Sequence, residues 1–77
     1  MPLQEIMAEK VHDIWCSWMS YLFSVSEPKG DGTYVIPVDL VERWHRQLLT
    51  PYEDLPDHER ESDRLIAREI LDLIDQK

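Results

Sequence analysis

The chain has 77 residues, which is enough for only one small domain, so residues 1–77 are predicted to form a single domain. Its 16 acidic residues against 8 basic ones give a formal net charge of −8 at pH 7. Phosphate backbones and anionic lipids repel so acidic a chain, which argues against direct nucleic-acid binding and against membrane surfaces. The two glycines are too few for a glycine-rich phosphate loop.

The single cysteine and the N-terminal residues indicate a reducing compartment. Cys16 has no second cysteine with which to form an internal disulfide. The N-terminus lacks the basic start and continuous apolar run of a signal peptide, and no window approaches the ~18 apolar residues of a membrane span. We therefore expect a cytoplasmic protein.

A long first helix is predicted from Pro2 to about Val25. Its apolar residues follow one another at gaps of one, three or four positions, which is helical spacing on one face. A second apolar row (Cys16, Met19 and Phe23) makes the stripe so wide that the helix is covered on more than one side or pairs with another chain. The main row consists of Leu3, Ile6, Met7, Val11, Ile14, Trp15, Trp18, Leu22 and Val25.

The middle of the chain predicts a break and then a shorter helix. Residues 26–32 form a cluster of helix breakers, and residues 33–36 favour an extended stretch or one arm of a short hairpin. Pro37 suits the first turn of a helix over Val38–Leu49. The residues expected to face inward are Val38, Val41, Trp44, Leu48 and Leu49.

The last third of the chain predicts a short helix and then a long one. Thr50 and Glu53 fit a capping box, and Pro56 stops the short helix and opens the next one, over Asp57–Gln76. The whole pattern is typical of an all-α, compact domain of two long helices and one or two short ones, with at most a short β-like extended segment. The apolar positions of the last helix are Leu65, Ile66, Ile70, Leu73 and Ile74.

Aromatic residues at helical spacing usually belong to the core. On this ground we expect Trp15, Trp18 and Trp44 to be core residues. Tyr34 and Tyr52 fall in loops or turns and are better candidates for exposed contacts.

Both ends of the chain are similar to the RyR domain, the repeat of ryanodine receptors that also occurs in many small bacterial and phage proteins. Ala8–Trp15 (AEKVHDIW) resembles the opening motif, and Thr50–Pro56 (TPYEDLP) begins the closing one. The closing motif continues through Glu59, Glu61, Asp63, Arg64 and Ala67. Between these ends, the family's G-W-x-Y-G and R-D stretch and the H-P that follows it have no counterpart here.

The resemblance implies a mostly α-helical, non-enzymatic module. RyR domains are thought to bind nucleotide-like ligands or to dock on partner proteins. As a small independent chain, this protein also resembles uncharacterised reading frames of phages and prophages.

No enzymatic or metal site is predicted. His12 and Cys16 are four residues apart and share a helix face, but a structural zinc ion needs four ligands, and His45 and His58 stand alone. No glycine-rich turn offers an oxyanion hole for a Cys–His nucleophile. We therefore predict no cofactor, no metal and no catalysis.

A basic and aromatic set is the candidate ligand site. Arg43 and Arg46 are neighbours on their helix, and with Tyr52 and Arg64 they could line a pocket for a nucleotide-like ligand. The alternative is surface ion pairing, worth under ~1 kcal/mol per pair. For Asp63 and Arg64 we favour a structural role, in which one of them holds the turn with Tyr52 against the last helix.

An acidic run is the candidate partner-binding surface. Such a run is usually a solvated helix start, but it can also occupy a basic, nucleic-acid-binding site on another protein. We rank docking on a partner protein, as an adaptor or inhibitor, above a sensor or sponge for a nucleotide-like ligand, and a structural homodimer third. The six acids are Glu53, Asp54, Asp57, Glu59, Glu61 and Asp63.

Overall fold

Three helices and a small hairpin make up the fold in the computed structural model, which describes residues 2–75. Helix α1 spans Leu3–Val25, α2 spans Val38–Leu48 and α3 spans Asp57–Asp75. A 3₁₀ helix, Tyr52–Asp54, lies between α2 and α3. The prediction of an all-α domain with two long and one or two short helices is confirmed. The predicted end of the last helix, Gln76, lies outside the described residues.

Each of the three α-helices begins directly after a proline. The carbonyl oxygens of Pro2, Pro37 and Pro56 accept backbone hydrogen bonds at 3.0–3.1 Å from the amides three residues further on. Proline fits this position because its φ is already near the helical value and it has no N–H to satisfy. The prolines therefore fix where the helices start.

The segment between α1 and α2 is a short antiparallel hairpin, in agreement with the predicted extended arm. Its turn contains Gly30 (φ 86°) and Gly32 (φ 94°), in the left-handed region that favours glycine. Phe23 of α1 packs edge-to-face on Tyr34, with ring centroids 5.1 Å apart, and holds the hairpin against the helix. Strands β1 (Glu27–Pro28) and β2 (Tyr34–Val35) pair Glu27 with Val35 and Pro28 with Tyr34.

The predicted capping box at Thr50 is wrong. The Thr50 hydroxyl donates a 2.6 Å hydrogen bond to the Arg46 carbonyl oxygen, so it satisfies the C-terminal end of α2 instead. The 3₁₀ helix that follows has Pro51 at its N-cap position and no side-chain cap. A threonine between two helices can bond to the end of one or the start of the next, and here it adds a second hydrogen bond to the Arg46 carbonyl oxygen, which also accepts from the Leu49 amide.

The helices leave their apolar side chains partly exposed. Within residues 2–75 no hydrophobic side chain is fully buried, and Ser26 is the only buried residue. The Cα atoms extend over 45 × 34 × 16 Å with a radius of gyration of 15.8 Å. A closed domain of this length has a radius of gyration of about 11.5 Å. The half-buried apolar residues on which the helices pack include Ile14, Leu22, Leu40, Val41, Trp44, Ile66, Ile70 and Leu73.

Two expectations about the core are therefore corrected. Trp15 and Trp18 are 54% and 57% exposed, so neither is a core residue. Val38, Leu48 and Leu49, which are predicted to face inward, are also exposed. The half-buried residues of α2 are Leu40, Val41, Trp44 and Gln47, so of the predicted inward residues only Val41 and Trp44 face the other elements.

We expect Gly32→Ala to lower the free energy of unfolding by about 1 kcal/mol, because a Cβ atom disfavours the left-handed backbone of the turn. For a domain of this size the melting temperature should fall by roughly 4–8 °C. Thermal unfolding followed by circular dichroism measures this change in melting temperature. Lys29→Ala, in the same exposed turn, is the control and should leave the melting temperature unchanged.

Candidate functional site

Two of the three arginines of the candidate ligand site, Arg46 and Arg64, are bound to acids of the same chain. Arg46 of α2 forms a two-pronged pair with Glu59 of α3, at 2.6 and 3.3 Å. Arg64 donates to Asp57 at 3.0 Å and to Glu61 at 3.1 Å. Guanidinium groups in such pairs have fewer free N–H donors for a phosphate. Both arginines therefore act first as structural groups: Arg46 connects α2 to α3, and Arg64 joins acids within α3.

The same pairs divide the candidate acidic surface into two sets. Asp57, Glu59 and Glu61 are the acids that these arginines neutralise, and Glu61 also pairs with Arg68 at 2.7 Å. The other three acids of the set form no ion pair with any described residue. This second set, the unpaired acids, consists of Glu53, Asp54 and Asp63.

The pKa values follow from this pairing. Hydrogen bonds from Arg64, Arg46 and Arg68 lower the pKa values of Asp57, Glu59 and Glu61, respectively. The pKa of Arg64 is raised, first by Asp57, then by Glu61 and the Tyr52 hydroxyl.

The link to Tyr52 bears on the predicted role of the Asp63–Arg64 pair. Of the two residues, Arg64 is the one whose pKa the Tyr52 hydroxyl affects. The hydrogen bonds that Arg64 donates to acids stay within α3, to Asp57 and Glu61. Asp63 faces a different part of the molecule.

A cleft of about 500 Å³ opens where the three helices meet, and we call it the central cleft. Its apolar walls are Trp18 and Tyr21 of α1, Trp44 of α2, and Leu55. Trp44 meets Tyr21 edge-on, with ring centroids 6.5 Å apart. Its polar lining consists of Arg43, Gln47, His58, Glu59, Ser62 and Asp63.

The central cleft gathers only part of the predicted site residues. Arg43 lines it and lies 3.4 Å from the Tyr21 hydroxyl oxygen, whereas Arg46, Tyr52 and Arg64 are not in its lining. Of the unpaired acids, Asp63 lines it. The basic and aromatic set is thus not assembled around this cleft, while two acids of the predicted partner surface, Glu59 and Asp63, line it.

Sequence reasoning missed Tyr21, His58 and the exposed position of Trp18. Trp18 lines the central cleft, a groove of about 260 Å³ between α1 and α3, and an apolar hollow of about 280 Å³ toward α2. The available signal was the spacing of Trp18 and Tyr21, which places both on one side of α1. A residue shared by three adjoining depressions is the centre of the open apolar surface.

The His12–Cys16 pair lies on the exposed surface of α1. The Cys16 Sγ and His12 Nε2 atoms are 3.4 Å apart, and His12 stacks on Trp15 with ring centroids 6.0 Å apart. Residues 2–75 contain no group of three or more side chains arranged to hold a metal ion. In the same range, no helix is both long and apolar enough to cross a membrane.

No protein-family model, curated protein or solved structure matches the chain. The resemblance to the RyR domain therefore remains a prediction based on its motif residues. In the structure, residues of the closing motif take part in ion pairs: Glu61 pairs with Arg64, and Glu59 pairs separately with Arg46.

We expect the free energy of unfolding to fall in acid, because the carboxyl groups of Asp57, Glu59 and Glu61 become protonated and lose their ion pairs. A carboxyl group whose pKa is lowered by folding stabilises the folded state above its unfolded pKa, and that contribution is lost as the pH falls through the folded value. The ordinary glutamate pKa is 4.5, so the loss should begin near there and continue below it. Glu59→Gln should be less stable than the wild type at pH 7 and equally stable near pH 3, by urea unfolding.

Glu53→Gln provides the matched control, because Glu53 forms no ion pair with another described residue. Its stability should follow the wild type at both pH values. A gap between wild type and Glu59→Gln that persists unchanged in acid would contradict the role assigned to the Arg46–Glu59 pair.

Proposed function

We propose that this chain is a non-enzymatic binding module that docks on a partner protein, as an adaptor or inhibitor. The partner inserts an amphipathic segment, with apolar anchors and flanking lysine or arginine residues, into the central cleft. The observation that carries the proposal is an open cleft with aromatic walls and an acid, Asp63, that forms no ion pair with another described residue.

The apolar part of the cleft supplies the affinity in this proposal. Trp18 and Tyr21 are half exposed, so a partner that covers them removes a large apolar area from water. Aromatic residues in recessed positions are the usual centres of protein interfaces. The volume of about 500 Å³ is sufficient for one or two large apolar side chains of a partner.

The acids supply the preference for a basic partner. The chain carries a net charge of −8, and the arginines near the start of α3 neutralise only some of its acids. Asp63 in the cleft, with Glu53 and Asp54 of the 3₁₀ helix, remains available to lysine or arginine. Complementary charge speeds encounter and selects among partners. The resemblance to the RyR domain is consistent with a docking role.

The nucleotide-sensor alternative has less support. Arg43 and the aromatic walls could hold a base and a phosphate, but Glu59 and Asp63 lie in the same lining and repel phosphate. Arg46 and Arg64 are already bound to acids. The geometry therefore favours a partner protein over a nucleotide-like ligand.

Selection of peptides from a random library against the folded chain tests the docking proposal. We expect the enriched peptides to combine aromatic or aliphatic anchors with lysine or arginine, and to bind more weakly as salt rises. Asp63→Lys should weaken binding of a selected peptide by about tenfold. Asp72→Lys, the same charge reversal at an exposed position outside the cleft, is the control. Equal effects of the two variants, or enrichment of acidic peptides, would refute the cleft as the docking site.

A thermal-shift screen with nucleotides, cyclic dinucleotides and ADP-ribose tests the alternative. A ligand at 100 times its dissociation constant adds about 2.7 kcal/mol to the free energy of unfolding, a shift of many degrees for so small a domain. We expect no shift with any of these compounds. A shift that Arg43→Ala abolishes would establish the sensor function and displace the docking proposal.

A further inference from the structure

A row of exposed side chains on α1 has the spacing of a helix–helix seam. Ala8, Val11, Trp15 and Trp18 follow one another at intervals of three, four and three residues, the repeat that keeps one face toward a neighbouring helix. All four are exposed, and Val11 is 62% exposed. We call these four residues the α1 seam. Of the four, Trp18 also borders the depressions that α2 and α3 line, and it is still 57% exposed.

The half of the seam that contains Trp15 and Trp18 is unusually free of charge for so acidic a chain, whereas Glu9, Lys10 and Asp13 lie beside Ala8 and Val11 in the sequence. Residues 14–26 contain no charged side chain, although the chain as a whole carries a net charge of −8. A second copy that approached this part of α1 would bury no carboxylate there. Charges elsewhere on two copies are screened over about 10 Å at moderate ionic strength. Like-charge repulsion therefore opposes self-association least at this face.

The accessible surface that this chain exposes in excess of a closed monomer is also large enough for a stable dimer interface. The chain has 6258 Å² of accessible surface. A closed monomer of 9.2 kDa would expose about 4,900 Å², which leaves an excess of about 1,300 Å². A standard protein interface buries about 800 Å² on each partner. One symmetric contact could therefore cover most of the excess.

We propose that the α1 seam binds a second copy of this chain, with the two α1 helices antiparallel. In this arrangement Ala8 faces Trp18 of the partner subunit, and Val11 faces Trp15 of the partner subunit, so that small residues lie opposite large ones. A parallel pair would set tryptophan against tryptophan in two adjacent layers and leave alanine opposite alanine. The antiparallel contact is two-fold symmetric and closes at two copies.

This inference goes beyond the proposed docking function and rests on different residues. Ala8, Val11 and Trp15 do not line the central cleft, and Trp18 lies at the border of both surfaces. The variants below therefore leave Trp18 and the cleft intact. Either proposal can fail while the other stands.

Sedimentation equilibrium of the full chain tests the dimer. The wild type should have twice the 9.2 kDa mass of one chain at micromolar to millimolar concentration. Val11→Glu and Trp15→Glu should each raise the dissociation constant by about 30-fold or more, as loss of a central anchor does. Leu48→Glu, at an apolar residue of α2 that is 79% exposed, is the control and should leave the dimer unchanged.

Disulfide cross-linking tests the orientation, in a Cys16→Ser background. An antiparallel pair with its two-fold axis near residue 13 brings residue 12 close to its own copy, so His12→Cys should cross-link and Ala8→Cys should not. The reverse result would overturn the antiparallel arrangement.

If the glutamate variants fail to fold, the mass of the wild type alone still tests the proposal. A strictly monomeric wild type over the whole concentration range would overturn it, and so would a dimer that Leu48→Glu breaks and Val11→Glu does not. A monomer that still selects basic amphipathic peptides would refute the dimer and leave the docking function standing.

Discussion

Most features of this structure depend on one constraint, which is that its three helices do not enclose their own apolar side chains. Helix α1 is the longest element, and its middle carries Trp15 and Trp18, which are both more than half exposed. Burial of apolar surface stabilises a fold by about 25 cal/mol for each Å², and surface that stays in water does not make this contribution. The same surface is available to a partner. Incomplete burial within one chain and a capacity for association therefore have one cause.

The ion pairs near the start of α3 partly compensate for the missing core. Arg46 and Glu59 connect α2 to α3, and only 10% of the Glu59 side chain is exposed, which screens this pair from water more than an ordinary surface pair. Asp57 and Glu59 also lie in the first turn of α3, where the helix dipole favours negative charge. The ion pairs with arginine and the helix dipole together explain why a run of acids can begin α3 without destabilising it. The ion pairs also explain why arginines that look like a ligand site in the sequence are structural groups in the fold.

Element boundaries could be predicted because they depend on local signals. Pro37 and Pro56 each precede a helix, and periodic apolar residues predicted α1 over a range that differs from Leu3–Val25 by a single residue. The surface against which each apolar stripe packs could not be predicted in the same way. A stripe that contains Trp15 and Trp18 has the same spacing whether it faces its own chain or another one.

The errors at α2 and Thr50 show a second limit. Trp44 and Leu48 fit one helical face as well as Trp44 and Gln47 do, and spacing alone cannot choose between them. The Arg46–Glu59 pair, which joins residues 13 positions apart, helps decide the rotation of α2 and brings Gln47 inward. The Thr50 hydroxyl could likewise have bonded to the start of the 3₁₀ helix or to the end of α2, and it bonds to the end of α2. Of the candidate site, the sequence could supply the residue types and the acidic surface, but not which acids the arginines neutralise.

The two proposed contacts differ in how they use charge. The central cleft combines aromatic walls with Asp63, so the docking proposed there would weaken with salt, whereas the dimer proposed at the α1 seam uses apolar residues and would depend on salt less. Any partner that binds only the folded chain stabilises it by mass action. Because so little apolar surface is enclosed within one copy, a partner that covered this surface, as proposed, would add substantially to the stability of the fold. In both proposals, the side chains that one chain leaves out of its core are the ones that a second surface covers.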